Sequence, residues 1–152
     1  MLSQPGVAAP QAQAAPAAPS AEKEQSDVAS RCQLALSQDI RTKCKISDDD
    51  AYFAFDSTKL NDRDERVLTE LADCFTKGPM MGQPIHLIGH TDPRGSAEYN
   101  MWLGQRRADS VKEALIAKGM APGSIEASSR GKLDATGYDD ASWALDRRVD
   151  VQ

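Results

Sequence analysis

Gly89-His90-Thr91-Asp92-Pro93-Arg94-Gly95-Ser96-Ala97-Glu98-Tyr99-Asn100, continuing after two residues into Leu103-Gly104-Gln105-Arg106-Arg107-Ala108, takes the chain from the end of a strand through a turn into a helix. The approach to it, residues 84–90 (PIHLIGH), is a short apolar run that suits a strand. Residues 91–95 contain Asp92, Pro93 and Gly95 and read as a turn. Ser96 can then cap a helix with Glu98 in its first turn, and Ala108, Val111 and Leu115 recur at helical spacing until Lys118-Gly119 ends it. A strand handed to a helix in this way is the unit of an α/β sheet, and ligand crevices of such sheets tend to open past the C-terminal ends of the strands.

Reading outward, residues 51–55 (AYFAF) suit a buried strand that Asp56-Ser57 ends. Asn61, with Asp64 three residues on, supplies a helix N-cap, and Leu60, Val67, Leu68, Leu71, Cys74 and Phe75 predict a helix over 62–77, stopped by Gly78-Pro79. Downstream, Pro122-Gly123 turns the chain into a strand near 125–129, 139–146 gives one or two helical turns, and 148–151 (RVDV) alternates as a final strand. Residues 28–40 are weakly periodic and read as a short helix, and 47–50 as a solvated loop. Strands joined through helices lie parallel with right-handed crossovers. The predicted fold is therefore an α/β two-layer sandwich: a four-stranded mixed sheet in the order βαβαβ(α)β, with helices mainly on one face. The expected organisation is a disordered Ala/Pro-rich tether over 1–30, a short N-terminal extension over 31–50 and one folded domain over 51–152.

The formal net charge is -5, so the surface as a whole repels nucleic-acid backbones and anionic lipid. This argues against a nucleic-acid partner. No stretch approaches the ~20 apolar residues that cross a bilayer, and the opening residues MLSQP lack the basic and apolar regions of an export signal. The expectation is that any signal or anchor lies outside this sequence, so that contact with a membrane comes only through a segment it lacks. Cys32, Cys44 and Cys74 fit neither a closed disulfide framework nor a four-ligand zinc site, and no C-x-x-C occurs. Arg31 stands before Cys32 where a lipidation site has a small residue.

The stretch from Gly89 to Asn100, with 103–108, resembles the signature of OmpA-like domains, including the peptidoglycan-associated lipoproteins and motor-stator proteins. Phe53-Ala54-Phe55-Asp56-Ser57 resembles the family's first strand, and Asp146-Arg147-Arg148-Val149 its closing Asn-Arg-Arg-Val. The resemblance covers nearly all of 51–152. It implies a periplasmic, non-enzymatic module of a Gram-negative envelope, attached to the outer membrane, that binds peptidoglycan through the meso-diaminopimelate of the stem peptide. Other envelope proteins are further candidate partners, and no cofactor or metal is implied.

That ligand offers a carboxylate beside an ammonium, so a receptor needs a cation and an anion at a fixed separation. Asp92, in the turn, and Arg107 are the candidate pair. Asn100, Leu103 and Arg107 recur at i, i+3, i+7 and line one helix face over roughly 10 Å. Arg107 offers a planar fork to a carboxylate, and Asn100 a donor and an acceptor to the stem peptide. The resemblance adds Thr91, Phe55, Asp56 and Arg147 to the candidate ligand-binding residues, with Phe55 weighted toward the core. Asp146 replaces the family's Asn, and the expectation is that its carboxylate pairs with Arg147.

Two other classes compete. A wall hydrolase would draw on the plentiful carboxylates, yet the sequence holds no Gly-x-Ser-x-Gly elbow, no metalloprotease pair and no second lobe. A structural or oligomerisation module without wall affinity would dimerise instead. His86 and His90, four apart on a strand, are separated by roughly 13 Å, too far to chelate. Gly89 to Gly95 matches no dinucleotide or P-loop spacing. The helix over 62–77 runs back along the first strand, which brings Cys74 toward the residues entering that strand. Cys44–Cys74 is thus the predicted disulfide and Cys32–Cys44 its competitor, in a compartment that permits oxidation.

Overall fold

A computed structural model describes residues 31–152, so the tether expected over 1–30 lies outside the described residues. Five strands and four helices alternate: β1 (Arg31–Leu36), α1 (Gln38–Cys44), β2 (Tyr52–Asp56), α2 (Asp62–Thr76), β3 (Ile85–His90), α3 (Ala97–Ala117), β4 (Ile125–Gly131), α4 (Asp140–Asp146) and β5 (Arg148–Val151). The strands form one mixed sheet in the order β2-β1-β5-β3-β4. The expectation of four strands is thereby corrected to five.

The additional strand is β1, inside the stretch read as a short helix. Cys32, Leu34 and Leu36 alternate inward with period two, while Arg31, Gln33 and Ala35 stay partly or fully exposed. β1 pairs antiparallel with β2, setting Leu34 against Phe53, and parallel with β5, setting Leu34 against Val149. Residues 31–50, read as an extension ahead of the sheet, thus contribute one of its inner strands. Ser37 then caps α1 by accepting a hydrogen bond from the Ile40 amide.

α2 begins at a reciprocal cap: the Asn61 side chain accepts from the Asp64 amide at 2.8 Å while the Asp64 carboxylate accepts from the Asn61 amide. Its buried stripe of Val67, Leu68, Leu71, Ala72, Cys74 and Phe75 faces the core. A disulfide joins Cys44 at the end of α1 to Cys74 near the end of α2, with their Cα atoms 5.6 Å apart, and Cys32 remains a buried thiol. α3 crosses over from β3 to β4, which pair in parallel, while β5 runs antiparallel to β3.

One face of the sheet carries the inward side chains Leu34, Phe53, Phe55, Ile85, Leu87, Val149 and Val151, and with α2 and α3 they make the core. The other face, with Gln33, Ala54, His86, Arg148 and Asp150, is partly or fully exposed. Helices therefore pack on one side of a mixed sheet, in two layers. α3 packs unusually close: a Cβ on Gly89 of β3 would strike the Gly104 carbonyl, and one on Gly104 would come within 2.9 Å of the Gly89 oxygen. Two glycines let helix and strand touch backbone to backbone.

Candidate functional site

The register brings the starts of β1 and β5 and the ends of β2, β3 and β4 to one end of the sheet. Over it lies the loop that connects β3 to α3. Thr91, wholly buried, donates its backbone amide to the Gly131 carbonyl and its hydroxyl to the Asp92 carbonyl. Gly95 takes φ +89°, a left-handed conformation open to glycine, and Lys132 donates to its carbonyl. The Asn100 side-chain amide donates to the Arg94 and Ser96 carbonyls, each at 2.8 Å. Asn100 is fully buried, so its amide hydrogens fix the loop.

This loop presents Asp92, a carboxylate with no solvent exposure. It accepts hydrogen bonds from Arg94 (Nε at 3.1 Å, Nη2 at 2.8 Å, and the backbone amide at 3.1 Å) and from Arg147 Nη1 at 2.9 Å. Burial pushes the Asp92 carboxyl toward protonation, but the donors from Arg94 and Arg147 outweigh it and hold the group below the usual carboxylate range. The Arg94 guanidinium lies 4.3 Å over the Trp143 ring of α4, a cation–π contact that fixes its position. Neither Arg94 nor Trp143 is distinguished in the sequence as a candidate ligand-binding residue. An arginine two positions after an aspartate in a tight turn was the available signal for Arg94, whereas the stack on Trp143 joins distant parts of the chain.

Arg107 is wholly buried on α3. Its Nη1 donates to the His90 carbonyl at 3.2 Å, and Nε and Nη2 have no hydrogen-bond partner among the described residues. Burial pulls its pKa down to about 10, opposed by the charge of Asp92, so it remains cationic at neutral pH. A buried guanidinium with unpaired donors is costly unless something accepts them. Leu103, one turn earlier, is fully buried, and Phe55 is 2 % exposed with its ring in the core.

Beside this cluster a groove of roughly 360 Å³ is lined by Arg31, Cys32, Phe55, Asp56, Lys59 and Arg147, among others. Asp56 accepts from the Thr58 hydroxyl at 2.7 Å and lies 3.9 Å from Arg31. Burial pushes the Cys32 thiol up to about 12, which leaves it protonated and unreactive. The expected pairing of Asp146 with Arg147 is not what the structure shows. Asp146 accepts from the backbone amides of Thr136 and Gly137 at 3.1 and 2.9 Å, and Arg147 turns to Asp92 instead. The candidates thus fall into one charged cluster, Asp92, Arg107 and Arg147, with Thr91, Asn100 and Leu103 packed around it and Phe55 and Asp56 on the groove.

The histidines stand apart from each other. His86 is exposed and meets Glu126 at 2.7 Å, whereas His90 is buried with Nε2 3.0 Å from Asp150. No cluster of metal-ligating side chains occurs among the described residues.

Fold and site together define a two-layer α/β domain with a buried, arginine-rich charge cluster at the strand ends. The chain belongs to the OmpA family, whose model matches residues 52–147. It is 45% identical over 103 residues to the peptidoglycan-associated lipoprotein of Pseudomonas aeruginosa, covering 66% of this chain and 60% of that protein. The chain thus spans 60% of that relative's length. Among solved structures, the peptidoglycan-associated lipoprotein of Burkholderia pseudomallei matches with a TM-score of 0.55 and 40% identity, covering 65% of this chain and 84% of that one. The C-terminal domain of Helicobacter pylori MotB, at 23% identity, TM-score 0.50 and coverage of 62% and 74%, shares the fold.

Proposed function

We propose that this domain binds peptidoglycan without covalent chemistry, gripping the diaminopimelate residue of the stem peptide and so anchoring an outer-membrane or other envelope protein to the cell wall from the periplasm. The observation that carries the reading is the buried pair of unlike charges. Asp92 is an ionised carboxylate suited to an ammonium, and Arg107 holds two buried N–H-bearing nitrogens without partners, suited to a carboxylate. The names of the Pseudomonas and Burkholderia relatives, both peptidoglycan-associated lipoproteins, support the same ligand class. No nucleophile, metal or activated water is required, so the role is that of a clamp rather than an enzyme.

Both receptor groups are fully buried, while Arg94 and Arg147 have side chains 21% and 25% exposed. Ligand entry therefore begins with one of these two arginines turning away from Asp92. The test is sedimentation with purified diaminopimelate-type sacculi, comparing the wild-type chain with Asp92→Ala and Arg107→Ala after circular dichroism has established that each is folded. Co-sedimentation that is lost in both variants is the expected result. A folded wild-type chain that stays in the supernatant would replace the clamp by a structural role in an envelope complex.

A further inference from the structure

His90 is the last residue of β3, immediately before Thr91 and Asp92. Its ring lies beside Asp150 on the open face of the sheet, while Arg107 reaches its backbone carbonyl from α3. Only 4% of the side chain is exposed, and the ring stands between two carboxylates: Nε2 is 3.0 Å from Asp150 and Nδ1 is 3.7 Å from Asp134. Burial works against the Asp150 carboxylate, but the hydrogen bond from His90 and the charge of Arg148 hold it below the usual range. Hydrogen bonding from Arg130 holds Asp134 low as well, so both groups are ionised at neutral pH. An ionised Asp150 can only accept, so Nε2 carries a hydrogen and Nδ1 of a neutral ring presents a lone pair. That buried nitrogen has no hydrogen-bond partner among the described residues, and it faces a carboxylate oxygen.

Protonation reverses the sign of this contact. Imidazole is the side chain whose charge ordinarily changes between pH 5 and 8. A hydrogen on Nδ1 turns a lone pair against an anion into a charge-assisted N–H···O contact, and a movement of about 1 Å brings it to hydrogen-bond length. The other charged groups around the ring are already engaged: Arg148 on Asp150, with Tyr52 of β2 near both; Arg130 on Asp134; Lys132 on the Gly95 carbonyl; and Asp92 on Arg94 and Arg147. Asp134 belongs to the turn after β4, and that turn holds the ligand loop at two points. The Gly131 carbonyl accepts the Thr91 amide at 2.9 Å, and Lys132 donates to the Gly95 carbonyl. A bond from His90 to Asp134 adds a third point, and a loop fixed before the ligand arrives loses less freedom on binding.

We propose that His90 is a positioning residue of the site: once protonated it ties the Asp134 turn to the end of β3 and stiffens the loop that presents Asp92, so the grip on the stem peptide is stronger in mild acid than in mild alkali. This rests on the diaminopimelate reading given above. By linkage, peptide binding and proton uptake by His90 favour each other. The added charge lies between two carboxylates, which offset its repulsion of the ligand ammonium at Asp92.

The test is isothermal titration of the 152-residue chain with N-acetyl-L-Ala-γ-D-Glu-meso-diaminopimelate between pH 5.5 and pH 8, in buffers of different ionisation heat. Acetylation removes the one ligand group that titrates in that window. Wild type is expected to bind about fivefold more tightly at the acid end, the size of one modest hydrogen bond, and to take up protons on binding near the middle of the range. Asp134→Asn removes the charge at an exposed turn position and keeps the side chain's size, so the variant should fold and lose both the pH response and the proton uptake. His86→Gln, at the exposed histidine paired with Glu126 on the same strand, should keep them. An affinity that is flat with pH in wild type, a response of equal size in Asp134→Asn, or one that disappears in His86→Gln overturns the role of His90 and leaves the diaminopimelate reading standing. A peptide that binds at no pH overturns both.

Discussion

Asp92 holds two guanidinium groups from a position without solvent contact, and that arrangement makes the site sensitive to acid. Its carboxyl titrates below the usual range in the folded chain and near 3.9 in an unfolded one. Its contribution to stability is therefore complete above about pH 5 and fades as the pH falls through the folded value. Asp92→Asn should cost about 2 kcal/mol at neutral pH, less than a wholly buried pair, because Arg94 and Arg147 can turn partly to water. The variant should also lose less melting temperature than wild type between pH 7 and pH 3. Asp150, held low by His90 and Arg148 against its burial, titrates in both chains and cancels in the comparison. Equal acid sensitivity in the two chains would mean that Asp92 is not the group that titrates. At this scale the sequence was informative where residue type and chemistry coincide. Asp92 and Arg107 stood out through the family motif, whereas Arg94 reads as an ordinary solvated loop arginine until the fold brings Trp143 beneath it.

Arg107 and Asn100 are aimed by α3, and α3 is seated by the two glycines that let it lie against β3. A methyl group on Gly104 would collide with Ser129 Oγ and press on the Gly89 carbonyl, so Gly104→Ala must lift the helix from the sheet. Backbone has little freedom to yield. The expected loss is about 3 kcal/mol, at the upper end of overpacking, with a weakened grip on sacculi because Arg107 sits one turn beyond the displaced contact. Gly123→Ala has nothing within 4 Å of the added carbon and should change stability by less than about 1 kcal/mol. Chemical denaturation of both variants tests the seam, and a Gly104→Ala chain as stable as Gly123→Ala would show that the close approach does not matter. Elements with local signals were legible here. The Asn61 and Asp64 cap and the apolar stripe after it predicted α2, and the return of α2 toward the start of β2 placed Cys74 opposite Cys44. β1 was not legible, because Leu36 and Ile40 continue the inward positions Cys32 and Leu34 at a helical interval, and a strand pattern running into a helix pattern reads as one weak helix.

The partners of β1 are what the sequence could least reveal. Its parallel neighbour β5 is the last strand of the chain, and Gln33 pairs with Arg148 across nearly the whole domain. No local pattern encodes such a contact. Its consequence is that a chain starting at Ala51, the domain boundary suggested by composition, lacks an inner strand. Such a chain loses the wholly buried Leu34, the nearly buried Leu36 and Ile40, and the disulfide through Cys44, and it exposes the facing edges of β2 and β5. Truncating one buried leucine costs about 2–5 kcal/mol, and a small domain is stable by only about 5–15 kcal/mol in all. Residues 51–152 alone should therefore fail to fold, while 31–152, which retains every described element, should unfold cooperatively at the same urea midpoint as the full chain. Far-ultraviolet circular dichroism along a urea titration separates the two. A cooperative transition in 51–152 would mean that β1 is dispensable. The loss should reach function as well as stability, because Arg147 enters β5 directly beside β1, where its carbonyl accepts from the Gln33 amide at 2.9 Å. Without β1 the residue that binds Asp92 has no fixed backbone, and the charge cluster at the end of the sheet goes with it.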